Sequence, residues 1–129
     1  MDFYAGALDF GEEKKVKPFS WEKGFSQVFK QGGFDAVIGN PPYVRVQQLD
    51  YKEIDFFKSH YEVAHERIDI SLMFFELASK LAKKLAKVGF ISTTQFMTAE
   101  YGRNLRKFLL SKRIEKFVDF CSLPIFEDA

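Results

Sequence analysis

The sequence predicts an α/β layered fold, a mainly parallel sheet flanked by helices, and three stretches carry that expectation. Ala36-Val37-Ile38 is an uninterrupted β-prone run closed by Gly39, which suits a strand covered on both faces, as in a parallel sheet. Downstream, Phe74, Leu77, Ala78, Leu81, Leu85 and Val88 form a helical stripe, with Gly89 placed to terminate the helix. Phe90-Ile91-Ser92-Thr93-Thr94 then reads as a second buried strand. Helix, glycine and strand in that order are the return half of a right-handed crossover between parallel strands.

Taken in order, residues 1–33 are polar and irregular at first, with Glu12-Glu13-Lys14-Lys15 as a charged turn. Trp21, Phe25 and Phe29 recur at helical spacing and predict a short amphipathic helix from about Ser20 to Lys30. Gln31-Gly32-Gly33 ends that helix and launches the first strand. Past Gly39, two prolines fix φ and bar the αR region for the residue before each of them, so Asn40 and Pro41 must leave the strand extended. A loop to about Leu49 leads into a helix whose one face carries Tyr51, Ile54, Phe57 and Tyr61, near the pocket mouth. The longest helix is expected from about Ser71 to Lys87, with Lys80, Lys83, Lys84 and Lys87 facing water. Glu76 near its N-terminus and lysines near its C-terminus suit the helix dipole. A helix from about Ala99 to Ser111 buries Leu105, Phe108 and Leu109, and Lys116 to Cys121 is expected as a third strand. Ligands of such sheets gather beyond the carboxyl ends of the strands. Asn40 falls at one such end and Thr93 to Gln95 at the next, so the two would line one crevice.

A chain of 129 residues with ordinary apolar content has room for one compact domain. The net charge of +1 names no partner, but Glu76 to Ala129 holds ten Lys and Arg against six acids. That half either lies along phosphates or presents the solvated faces of two helices. Cys121 is the single cysteine, which excludes an internal disulfide and agrees with a reducing cytoplasm. There is no apolar leader, and no segment approaches the ~20 apolar residues that span a bilayer. His60 and His65 are off helical register for chelation and have no Cys or carboxylate cluster beside them, so no metal is expected.

The strand that ends in Asn40-Pro41-Pro42-Tyr43 resembles motif IV of amino-methyltransferases that use S-adenosylmethionine. The nearest subset is that of bacterial adenine-N6 DNA methyltransferases, especially the large fused restriction-modification enzymes of type IIG. Pro18-Phe19-Ser20-Trp21-Glu22-Lys23 and Phe25-Ser26-Gln27-Val28-Phe29 resemble the lead-in of that family, and Val44-Arg45 follows the motif as it does there. Asp69-Ile70-Ser71-Leu72-Met73-Phe74-Phe75-Glu76 resembles its next helix, and Gly89-Phe90-Ile91-Ser92-Thr93 the strand after it. Pro124-Ile125-Phe126-Glu127-Asp128-Ala129 resembles the late motif that supplies a second aromatic wall, so the likeness runs from motif IV through motif VIII.

The resemblance implies a Rossmann-like fold, a flipped adenine in DNA as substrate and S-adenosylmethionine as methyl donor. It assigns catalysis to Asn40, Pro41 and Tyr43, and base binding to Asn40, Pro42, Tyr43 and Phe126. In that assignment the Asn40 side-chain oxygen and the Pro41 carbonyl each take one N6 hydrogen, while Tyr43 stacks on the base. Other readings stand beside each role. Asn40 before proline also suits a turn, Tyr43 and Phe126 suit ordinary packing, and Asp69 either reaches the pocket or caps the helix at Ser71. The same tip also occurs in methyltransferases of protein glutamine amides or RNA bases, and a non-catalytic binding module with this fold is a third reading.

The 39 residues before Asn40 show no strand followed by a glycine-rich loop, so the cofactor-binding residues are not identified. The expectation is a fragment, residues 1–129, that keeps the C-terminal half of a partial methyltransferase fold without the cofactor half or the target-recognition domain. Such a fragment would expose an apolar sheet edge, which predicts a homodimer or swapped assembly and no methyl transfer in isolation.

Overall fold

A computed structural model describes residues 19–42, 50–64 and 69–126. Ser20 caps the first helix, α1 (Trp21–Gly24), by accepting from the Lys23 N–H at 3.3 Å. The expected helix from Ser20 to Lys30 breaks at Phe25, whose φ of −126° and ψ of 45° separate α1 from α2 (Ser26–Lys30). Aromatic packing accounts for the break. Phe25 stacks on Trp21 at 5.8 Å and meets the edge of Phe34 at 5.3 Å, and Phe29 reaches Phe34 as well. Four rings gathered on the start of the first strand outweigh one uninterrupted helical turn.

Strand β1 (Phe34–Gly39) pairs in parallel with β2 (Ala82–Phe90), in a two-stranded sheet. Between them lie α3 (Tyr51–His60) and α4 (Ile70–Leu81). Asp50 opens α3 with a reciprocal capping box, accepting from the Glu53 N–H at 2.8 Å while Glu53 accepts from the Asp50 N–H at 2.9 Å. Ile54, Phe57 and Tyr61 pack on the core as their spacing predicts, but Tyr51 is 82% exposed. It lies in the first turn, at the outer end of that face.

Helix α4 ends six residues before the expected Lys87. Ala82 takes extended φ and ψ, and Ala82–Phe90 becomes strand. Register explains how the strand absorbs the extra length: Phe34 faces Ala82, yet Ala36 faces Lys87, so residues 83–86 bulge out of the ladder. Leu85 sits at the apex with φ 68° and is 88% exposed rather than part of the apolar stripe. Gly89 does not end a helix; it lies inside β2 opposite Ile38. The expected second strand over Phe90–Thr94 therefore starts and stops earlier. Residues 91–93 lie beyond β2 and are followed by 3-10 turns at Thr94–Met97 and Glu100–Gly102 and then α5 (Arg103–Leu110).

The core is built on Val63, Leu72, Met73, Phe96 and Leu105, with Phe75, Phe108 and Leu109 against it. Burying a leucine as fully as Leu105 contributes about 1.5–3 kcal/mol. One acid shares that interior. Glu76, 1% exposed, accepts from the Val63 N–H at 3.1 Å through Oε2, and Lys80 Nζ lies 2.5 Å from its Oε1. Its role is to pin the segment after α3, not to sit on the helix dipole.

Two expectations about the sheet are corrected. β1 is not covered on both faces: Ile38 is 85% exposed and Ala36 is exposed too. Lys116 to Cys121 form no strand; Asp119 accepts from the Cys121 N–H at 2.9 Å and Cys121 turns to φ 51°, a local arrangement that competes with a ladder.

Candidate active site at the carboxyl ends of the strands

Because β1 and β2 are parallel with Gly39 opposite Phe90, both chains leave the sheet at one edge. The Ile91 N–H donates to the Gly39 carbonyl at 3.3 Å, which extends the pairing one residue beyond β2. A Cβ on Gly39 would fall 2.9 Å from Phe90 Cε1, so a side chain there would have to displace that ring. Phe90 in turn meets the edge of Phe75 at 4.9 Å, and Phe75 tilts against Phe96. The strand tip is thus backed by rings that continue into the core.

On that backing, Asn40 is exposed, Pro41 buried and Pro42 exposed. Burial of Pro41 anchors the tip, and proline leaves no N–H to satisfy there. The amide of Asn40 is left at the solvent edge of a fixed backbone. Beside it, Ser92 and Thr93 are half-buried where the second strand departs. Arg106 holds the turn that follows, its Nη1 donating to the Phe96 and Ala99 carbonyls at 2.7 Å each. Asn40 and the residues after Phe90 therefore leave the sheet at the same edge, where the sequence places its expected crevice.

The remaining predicted residues are placed differently. Tyr43 lies outside the described residues. Phe126 is a coil residue, 47% exposed, with no ring partner among the described residues. Asp69 caps α4, accepting from the Ser71 N–H at 2.9 Å and the Ser71 hydroxyl at 2.7 Å, which decides between its two readings. Two features escaped the sequence reading. Glu76, read there only as a charge on the helix dipole, is a buried carboxylate, for which its place between Phe75 and Leu77 with Lys80 one turn on is a signal; the burial of the Ser92 hydroxyl has no sequence signal.

Charges around the sheet are paired across elements. Lys83 on β2 meets Asp35 on β1, and Lys87 meets Glu115 in the segment after α5. Hydrogen bonding and then the charge of Lys83 hold the Asp35 carboxyl below the usual carboxylate range, and Lys87 does the same to Glu115. Among the described residues, no group of three His, Cys, Asp or Glu is placed to hold a metal ion. His60 stacks on Phe56 at 4.2 Å and its Nδ1 lies 2.8 Å from the Phe56 carbonyl.

The family model of the Eco57I restriction-modification methylase matches residues 5–126. The chain belongs to this family. As a member of the Eco57I methylase family, it is 33% identical over 99 residues to the type II restriction enzyme and methyltransferase RM.Eco57I of Escherichia coli, covering 74% of this chain and 10% of that protein. It is 36% identical over 118 residues to the Methanocaldococcus jannaschii protein RM.MjaORFECS2P, covering 92% of this chain and 10% of that protein. The type II methyltransferase M.BstVI of Geobacillus stearothermophilus is 28% identical over 109 residues, 84% of this chain and 19% of that protein. The chain thus spans a tenth to a fifth of the length of these methylase relatives. A mixed helix and strand fold with a small parallel sheet is compatible with an α/β methyltransferase segment. Among the described residues of this family member, no helix is long and apolar enough to cross a membrane.

Proposed function

We propose that this chain is the acceptor-binding portion of a site-specific DNA methyltransferase that moves a methyl group from S-adenosylmethionine to N6 of a flipped adenine, within a cytoplasmic restriction-modification system. One observation carries the reading: an exposed Asn40 followed by a buried Pro41, on a strand tip fixed at the carboxyl edge of a parallel pair. Membership of a methylase family and relatives named type II methyltransferases support it.

The chemistry asks little of acids and bases. The N6 lone pair of adenine is delocalised into the ring, so the amine is a poor nucleophile. Two acceptors aimed at its two hydrogens, the Asn40 side-chain oxygen and the Pro41 carbonyl, favour a pyramidal nitrogen whose lone pair is free to react. A preorganised pair costs no reorganisation at the moment of reaction. Tyr43 is assigned to stacking on the base at ~1–3 kcal/mol, which offsets the few kcal/mol of extrusion from the duplex. Pro42 flattens the approach, and Phe126 is assigned to the second face of the base.

The described residues do not fit S-adenosylmethionine. Gly32 and Gly33 precede β1 at its amino end, and the space against Gly33 is filled by the Leu81 carbonyl, 2.5 Å from where a Cβ would lie. A polypeptide of residues 1–129 alone is expected to transfer no methyl group. Its exposed apolar side chains favour self-association.

Replacing Asn40 by Ala in the full-length natural protein tests the reading. The expected result is a fall in kcat of about 10²–10³ with a melting temperature close to wild type, because Asn40 is exposed. Methylation at the wild-type rate would remove Asn40 from the mechanism.

A further inference from the structure

On α4 and β2, three lysines are answered by acids: Lys80 by Glu76, Lys83 by Asp35 and Lys87 by Glu115. Helix α5 and its exit are different. Residues 100–116 hold six Lys and Arg against two acids, Glu100 and Glu115, a net +4 in a chain whose total is +1. Both acids are already engaged. Glu115 is bound by Lys87, with the charge of Arg113 acting on it as well, and Glu100 meets Arg103 at 3.6 Å.

Packing fixes which side of α5 these charges occupy. Leu105 is wholly buried, Phe108 and Leu109 pack on the core, and Asn104 Nδ2 donates to the Glu62 carbonyl at 3.2 Å, so one side of the helix is committed inward. Arg106 is committed too, to the Phe96 and Ala99 carbonyls. Arg103 and Lys107, one turn apart, are exposed on the side that remains, and Lys112, Arg113 and Lys116 are exposed beyond the helix end. Among the described residues, Lys107, Lys112 and Lys116 form no ion pair; the Lys112 ammonium lies 4.8 Å over the Phe108 ring. The helix dipole suits Lys107 and Lys112 at the carboxyl end, but it disfavours Arg103 at the first position, so helix stability alone does not explain the strip.

We propose that Arg103, Lys107, Lys112, Arg113 and Lys116 form a phosphate-contacting surface for the backbone of duplex DNA. This rests on the DNA reading given above and deepens it, adding contacts that carry affinity without reading sequence. Charge complementarity selects the partner: a concentrated cationic strip repels itself, and DNA presents one negative charge per about 1.7 Å of its axis. Position agrees. Arg106 ties α5 to the turn that follows Ile91, and the Ile91 N–H is bonded to Gly39 at the foot of the Asn40 tip. Leu110, 80% exposed among these cations, points to the competing occupant, a protein surface. Lysine is depleted in protein interfaces, and the strip holds three, which favours the polyanion.

The test uses the full-length natural protein, a fluorescent duplex of arbitrary sequence and salt from about 50 to 200 mM. The triple variant Lys107→Gln, Lys112→Gln, Lys116→Gln should make the slope of log K against log salt shallower by about 2–3, because each lost phosphate contact removes about 0.9. On unmethylated genomic DNA its KM should rise about tenfold or more with little change in kcat. Arginine at the same three positions should restore the wild-type slope. A control with Lys23→Gln, Lys30→Gln and Lys58→Gln, three exposed lysines on other helices, should leave the slope unchanged although it removes the same charge. If the first triple variant fails to fold, Lys107→Gln alone, expected to change the slope by about 1, carries the test. An unmoved slope, or an equal change in the control, would overturn the inference. If wild type neither binds nor methylates DNA, the DNA reading itself fails; if it methylates DNA while the slope is unmoved, only the assignment of the strip fails.

Discussion

Gly33 shows how one residue can set the start of the sheet. It is buried at φ +118°, and a Cβ would lie 2.5 Å from the Leu81 carbonyl and 2.9 Å from the Lys83 nitrogen. Both the backbone conformation and the space exclude a side chain, because the turn into β1 passes directly against the turn from α4 into β2. Gly33→Ala should therefore destabilise a polypeptide of residues 1–129 by at least roughly 1–3 kcal/mol in urea denaturation. An unchanged midpoint would mean that the two strand starts do not meet as described. Asn40 is the opposite case, an exposed residue whose replacement is expected to cost rate and not stability.

At the scale of elements, β1 was legible from an apolar run stopped by Gly39 and α3 from its helical spacing, while α5 begins at Arg103 and not at the expected Ala99, because a 3-10 turn at Glu100–Gly102 precedes it. The end of α4 was not legible. Ala82 to Lys87 has lysines that suit the wet face of a helix and the open edge of a strand equally well, and the pairing of Val37 with Val88 decides for the strand. The consequence is Leu85 at φ 68°, a conformation that costs a side chain roughly 1–2 kcal/mol. Leu85→Gly should raise stability by about 1 kcal/mol, since the leucine is exposed and contributes little packing. A drop of that size would instead favour the helix continuing to Lys87. Lys116 to Cys121 illustrates the complementary failure: β-propensity records how well side chains pack on a sheet, and those residues have no ladder to pack on.

The same strands make a prediction about acid. Asp35 and Glu115 are held below the usual carboxylate range by Lys83 and Lys87. A carboxylate depressed in the folded state stabilises fully above its unfolded pKa and loses that contribution as pH falls through the lowered folded value. The melting temperature should thus hold from neutral pH down to the ordinary carboxylate range and fall below it. Asp35→Asn should flatten the fall, and so should high salt, because both pairs are exposed to solvent. An acid limb identical in Asp35→Asn would show that the link between β1 and β2 carries none of it.

For the whole molecule, the site follows from topology: two parallel strands deliver Asn40-Pro41-Pro42 and Ser92-Thr93 to one edge, and the core behind them holds both ends still. Leu110, Phe117 and Leu123, close together in sequence, are exposed apolar side chains, as is Ile38 on β1. Residues 1–129 in isolation should accordingly sediment as dimers or larger species at micromolar concentration, and a purely monomeric profile would contradict that expectation. The tip motif was readable in sequence because proline and glycine constrain the backbone wherever they occur. The nearness of the end of β2 to that tip was not, because it depends on the register between strands far apart in the chain.

The most direct measurement is the identity of the methylated nucleoside. DNA treated with the full-length natural protein and labelled S-adenosylmethionine, digested to nucleosides and resolved by mass, should carry the label on N6-methyladenosine of the deoxy series, and Asn40→Ala should lower its initial rate of appearance by about 10²–10³. Label on cytosine, or on protein or RNA with none on DNA, would contradict the assignment of the Asn40 tip to an adenine amine.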